Sequence, residues 1–145
     1  MNELTHKVGL GLVLKFAVGT ILLSGMSIAF AASETVTLSG NNEVPPVTTS
    51  ASGTGAISVA GDKTVSGSVT VKGMEATAAH VHEGEVGKNG PVAVALTKAA
   101  DGKWTVPDGA KLTDAQYESY KAGKLYINVH SATHKDGEVR GQLKP

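Results

Sequence analysis

From Glu34 onward the chain alternates apolar and polar residues with the period of a β-strand. Val36 and Leu38 share one face of the first run. Asn41-Asn42-Glu43-Val44-Pro45-Pro46 then breaks the pattern, because paired prolines remove ladder donors and exclude an interior strand. Gly55 to Ala60, with Ile57 and Val59 inward, meets Thr64 to Val71, with Val65, Val69 and Val71 inward, across Gly61-Asp62. This predicts a hairpin. Ala78 to His82 and Val92 to Thr97 are two further strands, separated by a loop holding Gly84, Gly87, Gly90 and Pro91. Asp101-Gly102 turns the chain so that Trp104 to Val106 pairs back. Leu125 to His130, a turn through Lys135-Asp136-Gly137, and Glu138 to Leu143 complete the set. About eight strands at short, regular spacing predict an antiparallel Greek-key β-sandwich or flattened barrel.

One segment changes period. Thr113 is a cap, Gln116 three residues later completes a capping box, and Tyr117 and Tyr120 stand one helical turn apart. Lys121 and Gly123 are ordinary stop signals. The reading is one short helix from Thr113 to Ala122, placed in a connection. Tyr117, Tyr120 and Trp104 are expected to cover the sheet edge as amphipathic rings.

The first residues follow a different logic. Lys7 and Lys15 precede a glycine-dotted apolar run from Phe16 to Phe30, and Ala29-Phe30-Ala31 supplies a small-x-small cleavage pattern. Residues 1–31 are read as a signal peptide, with Ala32 as the alternative cleavage position and an uncleaved anchor, for which the run is slightly short, as the alternative reading. Residues 32–145 then form one domain by length, periplasmic or secreted, with no membrane attachment after cleavage. The full sequence holds 13 basic and 13 acidic side chains, a balance that sets nucleic-acid binding aside. Cysteine is absent, which excludes a disulfide framework, a thiolate metal site and a cysteine nucleophile. No nucleophile elbow, phosphate loop or carboxylate pair is present either.

All histidines beyond the leader fall in two clusters, His80-Val81-His82 and His130 with His134. Residues two apart on a strand point the same way, so His80 and His82 present their imidazoles together. If the strand ending at His130 lies beside them, three or four imidazoles converge. Neutral imidazole is a good ligand for copper and zinc, and without a thiolate or thioether nearby the oxidised copper ion is favoured, with zinc as the alternative. His80, His82, His130 and His134 are therefore the candidate metal ligands. Asn128, on the same strand face as His130, is a candidate to hold a ring N–H. Glu43, Glu83 and Glu138 are candidates for that role or for a carboxylate ligand. For Glu138 and Arg140 a same-face ion pair on a solvated strand is favoured, and for Glu43 a loop residue with local hydrogen bonds.

Three segments together resemble the chordin-type (CHRD) domain. They are Leu38 to Val47; Ala79 to Gly84 with Gly90-Pro91-Val92; and Gly123 to Ser131 with Gly137 to Leu143. They run in the family's order and span nearly all of residues 32–145. The resemblance implies an extracytoplasmic β domain, and the family carries no agreed biochemical activity. His80-Val81-His82-Glu83 and His130 are also similar to the copper strand and the late histidine of copper–zinc superoxide dismutase, with Arg140 as a stand-in for the arginine that steers superoxide. The dismutase's bridging histidine, zinc loop and disulfide cysteines have no counterpart here.

Three functions follow as expectations. The first is an exported, non-enzymatic domain binding a metal ion, copper favoured, through the histidine cluster. The second is a protein- or matrix-interaction module with structural histidines and an extracytoplasmic protein partner. The third is a dismutase-like redox enzyme.

Overall fold

The computed structural model describes residues 33–145; the predicted leader lies outside the described residues. Among the described residues, alternation becomes nine strands and one helix: β1 (Glu34–Ser39), β2 (Ser52–Val59), β3 (Val65–Lys72), β4 (Ala76–Glu83), β5 (Val92–Ala95), β6 (Thr97–Ala100), β7 (Lys103–Thr105), α1 (Asp114–Lys121), β8 (Leu125–Ser131) and β9 (Val139–Gln142). A single 3-10 turn, Gly40–Asn42, follows β1. All strand pairs are antiparallel, in the order β5-β4-β8-β9-β1-β2-β3-β7-β6.

The ninth strand comes from one bend. Val92 to Thr97, expected as a single strand, divides at Leu96, which buries its side chain and donates its N–H to the Ala79 carbonyl at 3.0 Å. The first half pairs with β4 and the second with β7, at opposite ends of the sheet order. One stretch of chain thus bridges both ends and the sheet is a nearly closed barrel. The connectivity is a Greek key: β4, the β5–β6 segment and β7 are hairpin neighbours, and the long connection through α1 brings β8 back beside β4.

The expected inward residues are inward. Val36, Leu38, Ile57, Val59, Val65, Val69 and Val71 are all buried in one cluster with Val81, Leu125, Ile127, Val129 and Val139. The interior is tight: a Cβ added at Gly55 would collide with Ile127 Cδ1, so the absent side chain makes room for a larger one across the barrel. The helix matches its predicted boundaries, with the Thr113–Gln116 capping box formed in both directions. Tyr117 and Tyr120 pack against the core cluster, whereas Trp104 is buried within it instead of lying over an edge.

β8 positions the candidate site. All seven of its residues are buried, a pattern that requires cover on both faces. Leu125, Ile127 and Val129 belong to the apolar core. Tyr126, Asn128 and His130 alternate with them and face outward, beneath a polar layer built with the loops after β1, β4 and β8.

Candidate metal centre

The register brings the histidines together. On β4 and β8, His80 stands opposite Asn128, His82 opposite Tyr126, and Ala78 opposite His130. His80 and His130 are thus diagonal neighbours on the outward face, within reach for ring side chains. Nδ1 of His80 lies 2.9 Å from Nε2 of His130, and one nitrogen from each of His80, His82 and His130 lies within 4.8 Å of the others. Of the three or four imidazoles expected to converge, the structure groups three, and His134 lies outside that group. It sits in the turn after β8, where its carbonyl accepts from the N–H groups of Ser131 and Gly137 and so serves to close the loop.

The hydrogen bonds determine which nitrogens are offered. A carbonyl can only accept, so His82 Nδ1, 2.9 Å from the Gly90 carbonyl, carries hydrogen, as does His130 Nδ1, 2.8 Å from the Lys135 carbonyl. Both rings then present an unprotonated Nε2 when neutral. His82 Nε2 is buried and has no hydrogen-bond partner among the described residues. Metal–imidazole bonds of about 2.0–2.1 Å place adjacent ligand nitrogens about 2.8–3.4 Å apart and opposite ones about 4.1 Å apart. The His80–His130 spacing is already within that range. A ring shift of about 0.7 Å would bring a pair at the 4.8 Å limit to the opposite-ligand spacing.

Burial is the main reason that the His80 and His82 pKa values lie below the ordinary histidine range. For His80 the His130 and His82 rings add to the effect; for His82 the Gly90 carbonyl opposes it. Both therefore favour the neutral, ligand-competent form.

Around the trio lies a second layer of buried polar groups. Asn128 Nδ2 donates to the Asp136 carbonyl at 3.2 Å, while its Oδ1 is buried without a partner. The amide is near enough to influence both His82 and Glu43, but it does not hold a ring N–H of His130, the role expected for it; Lys135 does that. Glu43 lies in the loop after the 3-10 turn and its N–H donates locally to the Gly40 carbonyl, as expected, but the residue is buried. It is 4% exposed, and burial raises its pKa to about 7 against the opposing effects of Arg140 and Asn128. Glu83 reaches away from the trio and accepts from Ser119 of α1 at 2.6 Å.

The predicted Glu138–Arg140 ion pair does not form. Both residues are buried: Glu138 accepts from Thr49 Oγ1 at 2.7 Å, and Arg140 turns to the loop after β4. On β9 Val139 faces the apolar core while Arg140, on the opposite face, lies beneath the loop after β4, so both faces are covered, and alternation alone could not reveal this. Tyr126, not singled out from the sequence, stacks against His82 with ring centroids 5.0 Å apart and an 8° interplanar angle. Its alternation with Asn128 and His130 was the available signal.

No curated protein and no solved structure matches the chain. A family model described as the CHRD domain matches residues 35–143, from the first strand to the last. That match embraces β4, β8 and all three converging histidines, and the chain belongs to the CHRD domain family.

Proposed function

We propose that this chain is an exported, non-enzymatic CHRD domain that binds a divalent metal ion, copper in preference to zinc, through His80, His82 and His130. The observation that carries the reading is the convergence of His80, His82 and His130, one ring nitrogen from each lying within 4.8 Å of the others, together with a buried His82 Nε2 that has no hydrogen-bond partner among the described residues. A buried polar atom without a partner costs about 1–3 kcal/mol, and a coordinated cation would remove that cost. Lowered pKa values at His80 and His82 support it, since ligation requires the neutral ring. An all-imidazole donor set without thiolate suits oxidised copper and also zinc. Export is supported by the apolar leader ending at Ala29-Phe30-Ala31 and by the occurrence of CHRD domains in secreted and extracellular proteins.

Calorimetric titration of residues 32–145 with copper(II) and zinc, beside the His80→Ala/His82→Ala double variant, tests the proposal. The expected result is about one copper ion per wild-type chain and none for the variant, with the β fold retained in circular dichroism. Equal binding by the two proteins, or binding by neither, would overturn it.

A further inference from the structure

We infer that Arg140 is a positioning residue of the histidine centre, holding the loop after β4 so that His82 offers Nε2 to the other two rings. The functional consequence rests on the metal-binding proposal; the structural arrangement does not.

Arg140 makes three hydrogen bonds to one loop. Its Nη1 donates to Asn89 Oδ1 at 3.2 Å, and its Nη2 donates to the carbonyls of Glu85 at 3.0 Å and Lys88 at 2.8 Å. The next residue, Gly90, supplies the carbonyl that takes the Nδ1 hydrogen of His82. A second route runs through Tyr126. The guanidinium lies 3.4 Å from the Tyr126 ring centroid, His82 stacks on the same ring, and the Tyr126 hydroxyl oxygen accepts from the Gly90 N–H at 3.2 Å. Arg140 thus controls both the carbonyl that sets the hydrogen on His82 and the surface against which that ring rests.

The side chain is unusual for a mere packing element. It is 2% exposed and forms no ion pair within 4.0 Å among the described residues; its three acceptors are neutral oxygens. A buried cation so held carries a large desolvation cost that an apolar residue would avoid. What an apolar residue could not do is bind three oxygens of a turn while its head lies 3.4 Å from a ring centroid. Lysine also lacks that planar fork. Asn89 extends the arrangement, since its Nδ2 donates to the Val44 carbonyl at 2.8 Å and ties the loop to the segment after β1.

The test uses residues 32–145 with Arg140→Lys and Arg140→Met. Long-range proton–nitrogen NMR of the metal-free proteins reads which His82 nitrogen carries hydrogen. Wild type is expected to show Nδ1–H alone, Arg140→Met a mixture of both forms, and Arg140→Lys an intermediate. In the copper-loaded proteins, electron paramagnetic resonance should show altered nitrogen hyperfine couplings, with affinity reduced about ten- to hundredfold in Arg140→Met. Should Arg140→Met fail to fold, Asn89→Ala removes one of the three contacts and should shift His82 the same way by less. An unchanged His82 signal in the folded variants overturns the inference, whatever copper does. A shifted signal in proteins that bind no copper upholds the positioning role and refutes the metal-binding proposal instead.

Discussion

His80 Nδ1 and His130 Nε2 face one another at 2.9 Å across paired strands, and in the neutral pair the hydrogen between them belongs to His80, because His130 Nδ1 already donates to Lys135. Displacing that hydrogen would leave two lone pairs at the spacing of adjacent ligands on one ion. His130→Ala is accordingly expected to abolish copper binding. His134→Ala, in a residue outside the cluster, should leave the titration unchanged. Paired calorimetric titrations check both, and loss of binding in His134→Ala would mean that the loop rearranges to supply a fourth ring.

Glu43 and the histidines should oppose each other in the pH dependence of stability. Glu43 has a folded pKa raised to about 7 from 4.5, so its contribution is fully present below about 4.5 and lost as pH rises through 7. His80 and His82 have folded values below 6.5. They favour the folded state above 6.5, and this advantage is lost as pH falls from there through their folded values. Glu43→Gln removes only the first effect. In metal-free buffer at pH 8 the variant should be more stable than wild type by roughly 3 kcal/mol, and by less than about 1 kcal/mol at pH 5. Denaturant unfolding at the two pH values measures this. A variant less stable than wild type at pH 8 would show that Arg140 favours the Glu43 carboxylate by more than burial disfavours it.

Gly137 occupies a point where a side chain cannot fit. Its φ is +129°, and a Cβ there would stand 2.5 Å from both Asn128 Nδ2 and Glu43 Oε1. Gly137→Ala is expected to destabilise the domain by more than about 2 kcal/mol, through backbone strain and displacement of both polar groups. It should also shift the His130 ring resonances, because the Lys135 carbonyl belongs to the same turn. Thermal unfolding and NMR read the two effects. A variant as stable as wild type would show that the turn is free to move.

Processing is testable without any metal. Protein recovered from the extracytoplasmic fraction of an expressing cell should begin at Ala32, one residue after the Ala29-Phe30-Ala31 pattern. Mass spectrometry of the intact chain decides it. Soluble exported material still carrying Met1 would refute the cleavage.

The strands, the Gly61-Asp62 hairpin and the α1 capping box were legible along the chain because each rests on neighbours in sequence: a period of two, a turn dipeptide, a cap and its partner. The shared face of His80 and His82 was legible for the same reason. Sequence by itself thus determined a Greek-key β domain carrying a His-x-His strand, and composition removed thiolate chemistry from it. Whether His130 joined, and His134 did not, depended on which strands became neighbours, a property of long-range pairing with no local signal. The bend at Leu96, which nearly closes the barrel, is equally non-local. The largest revision concerned Glu43, Glu138 and Arg140. Glu138 and Arg140 stand in a stretch that reads as solvated and Glu43 in a loop, yet the folded chain buries all three. Burial depends on what the rest of the chain places on top of a residue, so only the tertiary structure could decide that the histidine centre rests on a buried arginine and a carboxyl group with a raised pKa.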